Sequence, residues 1–84
     1  MEQTRVGQVF KYFAQPGVAA IELTDGALHI GDTIHIQGTT TDFSQELESM
    51  QIEHESVEGA ERGQSVGIKV AERVRPGDTI YRIS

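Results

Sequence analysis

Cysteine and tryptophan are both missing from this chain of 84 residues, and proline occurs only twice. Without cysteine there is no disulfide framework and no thiolate zinc site, which suits a reducing compartment. Aromatic residues are few, three Phe and two Tyr. A core of this size is expected to absorb most of them (Phe10, Tyr12, Phe13, Phe43 and Tyr81), leaving no stacking platform for single-stranded nucleic acid. No run approaches the ~18 apolar residues of a membrane-spanning helix. The opening Met1-Glu2-Gln3-Thr4-Arg5 lacks the apolar stretch of a secretory signal. The expectation is a soluble cytoplasmic protein without membrane attachment. Residues 1–84 are read as a single domain, which at this length buries only about 60% of its unfolded surface and has little room for a deep substrate cavity.

Positive charge is absent from one long segment. Residues 42–61 hold seven acids and no Lys or Arg. Residues 1–61 carry two basic side chains against eleven acids, a balance of −9, whereas residues 62–84 carry five against two, a balance of +3. The net charge of −6 argues against unaided binding of nucleic acid, which needs a basic footprint. Arg62, Lys69, Arg73, Arg75 and Arg82 are the one plausible electrostatic contact for a partner, and the acidic 42–61 segment is the alternative working surface.

What the chain does have is a repeat. Gly31-Asp32-Thr33-Ile34 returns as Gly77-Asp78-Thr79-Ile80, each time a turn pair followed by β-forming residues. Gly tolerates positive φ, and Asp can hydrogen-bond its own backbone nearby, so the pair reverses the chain at little cost. Alternating or β-branched runs predict strands at 6–13, 18–23, 33–37, 65–70 and 79–83. Gly7 inside the first implies a bend or a close backbone approach. Gln15-Pro16-Gly17 reads as a turn, and Asp25-Gly26 as a tight hairpin, with 27–30 a short apolar link. Residues 43–55 fit two periods: Phe43, Leu47 and Met50 have helical spacing, while Met50, Ile52 and His54 alternate as in a strand. A one-residue bulge near Glu48-Ser49 reconciles the second pattern, so a bulged strand is predicted. Residues 56–64 read as a loop. Six short strands separated by turn signals imply an all-β fold, preferably a closed barrel, because closure removes sheet edges.

No chemistry-bearing motif stands out. His29, His35 and His54 share no ligand spacing and have no evident carboxylate partner, and His35, between Ile34 and Ile36, is expected to face solvent. In a strand, Glu53 and Glu55 point away from His54 and form no acid–base cluster. Gly63-Gln64-Ser65-Val66-Gly67 leads into a strand and lacks the Lys-Ser/Thr ending of a phosphate loop. No catalytic residue, metal site or cofactor is expected.

A resemblance covers nearly the whole chain. Gly7-x-Val9, Leu28-x-Ile30-Gly31-Asp32-x-Ile34-x-Ile36 and the run from Ala60 through Gly63 to Val66-Gly67-Ile68 follow one pattern. It resembles domain 2 of the translational GTPases, the β-barrel behind the nucleotide domain of elongation factor Tu and initiation factors. The resemblance implies a six-stranded Greek-key-like closed barrel of the translation-protein type. It also implies a non-catalytic binding module associating with ribosomal or ribonucleoprotein partners. GTP binding is not carried over, since the GTPase motifs are not in these residues. Where elongation factor Tu has Arg-Gly after its Val-Gly strand, this chain has Ala71-Glu72. The pattern is similar as well to the C-terminal barrel of collagenase-like peptidases, which implies the alternative of a protein–protein accessory module.

Overall fold

The computed structural model, which describes residues 2–83, is all-β, with no helix among the described residues. Ten short strands replace the six expected: β1 (Gln3–Phe13), β2 (Val18–Leu23), β3 (Leu28–His29), β4 (Thr33–Gln37), β5 (Asp42–Glu46), β6 (Met50–Ile52), β7 (Glu55–Ser56), β8 (Gly59–Ala60), β9 (Ser65–Lys69) and β10 (Thr79–Ile83). Eight form one antiparallel sheet in the order β5-β4-β10-β1-β2-β9-β6-β7, and β3 pairs with β8 separately. The link at 27–30 and the loop at 56–64 therefore each contain a strand.

Main-chain pairing does not close this sheet into a barrel among the described residues, because β5 and β7 remain its two ends. The gap beside β5 is spanned by a side chain instead. The Gln45 amide donates to the Lys69 carbonyl at 2.8 Å and its oxygen accepts from the Ala71 N–H at 2.7 Å. One side chain thus bridges the two backbones where a ladder step would stand in a closed barrel.

The predicted bulged strand at 43–55 is interrupted rather than bulged. β5 pairs with β4, β6 pairs with β9 and β7, and Leu47-Glu48-Ser49 carries the chain between them. Leu47 is fully buried there. Its backbone is clasped by the first repeated corner: Gly31 N–H donates to the Leu47 carbonyl, and Leu47 N–H donates to the Asp32 carbonyl. Asp25-Gly26 is not a hairpin either. Both N–H groups bond the Val6 carbonyl as the chain leaves β2 for β3, so a long-range partner overrides the local turn preference.

β1 alternates imperfectly because it is bulged twice, between Arg5 and Gly7 against β10 and between Val9 and Lys11 against β2. Each extra residue shifts the facing by one. Val6 and Val9 therefore both point inward, with Tyr12 partly buried against the core, while Phe10 and Phe13 turn outward. Gly7 makes the expected close approach: a Cβ there would lie 2.2 Å from the Glu22 carbonyl oxygen. The fully buried core is aliphatic throughout, from Val6 and Ile21 to Ile68 and Ile80. Tyr12 and Phe43 only pack against its margin, which corrects the expectation that the core would absorb most aromatics.

Candidate functional site

The outward turn of β1 builds one wall of a trough on the outer face of the sheet. Phe10 and Phe13 are 48% and 42% exposed, and Lys11 Nζ lies 5.0 Å over the Phe13 ring. The floor comes from the next two strands. Val18 and Ala20 of β2 stand beside Gly67 of β9, with Ala20 directly opposite Gly67. Small side chains on adjacent strands leave a depression where larger ones would fill it. Gln51, opposite Gly67 on β6, begins the far wall, and Glu53 and His54 complete it. The hollow measures about 450 Å³, within the range of ligand clefts.

Glu53 and His54 are the two central residues of the β6–β7 hairpin, between the paired Ile52 and Glu55. Both have positive φ, 51° and 67°, as a two-residue hairpin of type I′ requires. Expected in a strand, they are in a turn, because the ladder ends at Ile52. Asn-Gly is the comfortable pair at such positions; Glu and His are held there against their preference.

The five basic residues are dispersed. Arg62 lies beside Gly63, which bonds Leu23 at the end of β2, whereas Lys69 pairs with Val18 at the start of β2. Arg73 and Arg75 are exposed on either side of the buried Val74 in the segment leading to β10. Arg82, at the opposite end of β10 from Arg75, is part-buried and donates from Nη1 to the Ala27 carbonyl at 2.8 Å. The acids of 42–61 are likewise spread over β5 to β8, with Glu48 and Glu58 rimming a smaller hollow of about 360 Å³ that includes the exposed Ile30.

The histidines sit on separate elements. His35 is not simply solvent-facing: its ring lies between Gln3 Oε1 at 2.6 Å and Asp42 Oδ1 at 2.5 Å, tying β1, β4 and β5 together. Among the described residues, no group of three His, Cys, Asp or Glu side chains is arranged to hold a metal. No helix among them is long and apolar enough to cross a membrane. Phe10 and Phe13, expected in the core, instead line the trough with Ala20 and Gly67.

A trough on a small all-β sheet describes a domain that presents a surface. The C-terminal domain of a Geobacillus thermoleovorans protein assigned to the U32 peptidases superposes with a TM-score of 0.86, at 22% identity, over 94% of this chain and 91% of that one. The chain is homologous to a segment of "Collagenase" from Porphyromonas gingivalis, 46% identical over 82 residues, which is 96% of this chain and 23% of the relative. It spans about a fifth of the length of the curated relatives it matches. No protein-family model matches. GDP-bound aIF5B from Aeropyrum pernix, a translation factor, shares the fold over 98% of this chain, with a TM-score of 0.70 at 14% identity. That likeness is one of fold alone. The expected assignment to translation factors is therefore corrected: the homologous sequences belong to collagenase-like proteases.

Proposed function

We propose that the chain is a non-catalytic, protein-binding accessory module of collagenase-like U32 peptidases. The observation that carries this reading is the 46% identity along 96% of the chain to only 23% of a collagenase. Bond cleavage then resides in the remainder of such a protein. In support, the hollow of about 450 Å³ is lined mainly by apolar and small residues, among them Phe10, Phe13, Val18, Ala20 and Gly67. The exposed cations Arg62, Lys69, Arg73 and Arg75 are candidates for contact with the rest of a peptidase.

Deleting the homologous segment from the Porphyromonas gingivalis collagenase tests the reading. Cleavage of a short peptide should keep its kcat, cleavage of whole collagen should fall, and the chain alone should hydrolyse neither. Hydrolysis of denatured collagen by the purified chain would overturn it.

A further inference from the structure

We infer that Asp25-Gly26, where the chain leaves β2 for β3, is a site of self-modification: it closes slowly to a succinimide and reopens as isoaspartate. The Arg5 ion pair and the Val6 carbonyl hold its rate down. This corner alone carries the inference, which is independent of the accessory-module reading. Of the four aspartates only Asp25 precedes a glycine, and the chain contains no asparagine.

The reaction needs neither partner nor cofactor. The Asp25 carboxyl takes up one proton from solvent, and the Gly26 nitrogen bonds to its Cγ. The carboxyl hydroxyl leaves with the Gly26 amide proton as water. Water then re-enters at either carbonyl of the ring. Addition at Cγ restores aspartate, whereas addition at the main-chain carbonyl routes the backbone through Cγ and lengthens it by one methylene. Glycine puts no Cβ beside the attacking nitrogen.

Both reacting groups are engaged elsewhere in the folded chain. Asp25 Oδ2 lies 3.1 Å from Arg5 Nε, with both side chains about half exposed, so water reaches the carboxyl while the guanidinium holds it. The Gly26 N–H donates to the Val6 carbonyl at 3.3 Å, and the Asp25 N–H donates to the same oxygen at 3.0 Å. The Gly26 nitrogen must give up its bond before it can attack. That bond is the longer of the two, and residues 24–27 belong to no strand, so a local opening frees the nitrogen without unfolding the sheet. Packing also favours glycine in the attacking position: a Cβ on Gly26 would lie 3.1 Å from Cγ1 of the fully buried Val6.

Isomerisation undoes both anchors of the crossing. The added methylene moves Gly26 away from the Val6 carbonyl, and the carboxylate, now attached directly to Cα, retreats from Arg5 by one bond. The modified chain is therefore expected to melt earlier and to lose hydrogen-exchange protection at residues 25 and 26.

The test is a long incubation of the full chain at neutral pH in heavy-oxygen water, followed by peptide mapping. Each ring that reopens leaves one heavy oxygen at residue 25. The folded chain should label roughly tenfold more slowly than the chain unfolded in guanidinium, because only locally opened molecules react. Arg5→Ala should label about two- to fivefold faster than the parent, the range for a half-exposed ion pair, and Arg5→Lys should restore the parent rate. Thermal unfolding checks that both variants fold. The inference is overturned by label appearing first at Asp32, Asp42 or Asp78, by equal rates in the folded and unfolded chain, or by an unchanged rate in folded Arg5→Ala. A residue 25 that stays unlabelled even in guanidinium overturns it as well.

Discussion

The two Gly-Asp-Thr-Ile corners are built alike and embedded differently. In each, the Asp N–H bonds the carbonyl three residues back, His29 or Arg75, at 3.1 Å. The Asp carboxylate in turn accepts that residue's N–H at 2.9 Å. Gly31 and Gly77 both have φ of 96°, the value a type II turn demands at its third position. Each corner also clasps the backbone of one buried residue, Leu47 or Val9, through the glycine N–H and the aspartate carbonyl. The surroundings then diverge. Asp78 is only 5% exposed, packed where a side chain on Gly38 would have to go, whereas Asp32 is partly exposed. The four-residue repeat sets local geometry, and residues far away in sequence decide what each copy contributes.

The largest effect should come from breaking the buried copy. A Cβ on Gly38 would lie 1.9 Å from Asp78 Oδ1, so Gly38→Ala must push out the carboxylate that caps Arg75. A loss of roughly 2–4 kcal/mol is expected, as for other forced overpacking. Asp78→Ala alone should cost about 1–3 kcal/mol by leaving the Arg75 N–H without its partner. The two changes should be strongly non-additive, since the second removes the atoms with which the first collides. Urea unfolding of both single variants and the double variant measures the coupling; simple additivity would show that the contact does not limit stability.

Much of this frame is legible in the sequence because it is local. Val18–Leu23 and Thr33–Gln37 emerge with the expected bounds, and the strands near 65–70 and 79–83 end within a residue of them, since turn residues and alternation mark them directly. The break at 47–49 is not legible, because Leu47 is fixed by residues 31 and 32 across the fold. The trough is hidden for a similar reason. Phe13 faces outward on the same side as Phe10 because the pairing of β1 with β2 slips by one residue between Val9 and Lys11, a shift set by the partner strand rather than by residues 6–13 themselves. Charge is distributed differently in sequence and in space: the +3 balance of residues 62–84 is a property of the chain, while strand direction sends Arg62 and Lys69 to opposite ends of β2. The family was half-legible, since a peptidase domain and a translation factor share this fold, and only sequence identity separates them.

Copying proline from one corner to the other probes the next difference. Pro76 occupies the second turn position, where proline is ordinarily favourable. Its counterpart Ile30 donates its N–H to the Glu58 carbonyl at 2.9 Å, alongside the β3–β8 pair. Ile30→Pro should therefore destabilise by about 1–3 kcal/mol, opposite in sign to the usual effect of a turn proline. Stabilisation in a thermal melt would mean that the Glu58 bond contributes nothing. Glycine, by contrast, should reveal what the corners share. Gly31→Ala and Gly77→Ala meet no atom within 4 Å, so only the positive φ is penalised. Each should cost about 1 kcal/mol, and a clear inequality between them would show that the turns are not equivalent.

The smallest expected effect is at Asp32. Its carboxylate makes the same bond as that of Asp78, to the His29 N–H at 2.9 Å, but His29 is exposed and water can take over the donor when the cap is lost. Asp32→Ala should cost about 0.5–1 kcal/mol, near the net worth of one solvent-accessible hydrogen bond. Asp32→Asn should cost less, because an amide oxygen can still accept from the His29 N–H. If denaturant midpoints place Asp32→Ala level with Asp78→Ala, burial is not what separates the corners, and the shared clasp on Leu47 and Val9 must carry the stability instead.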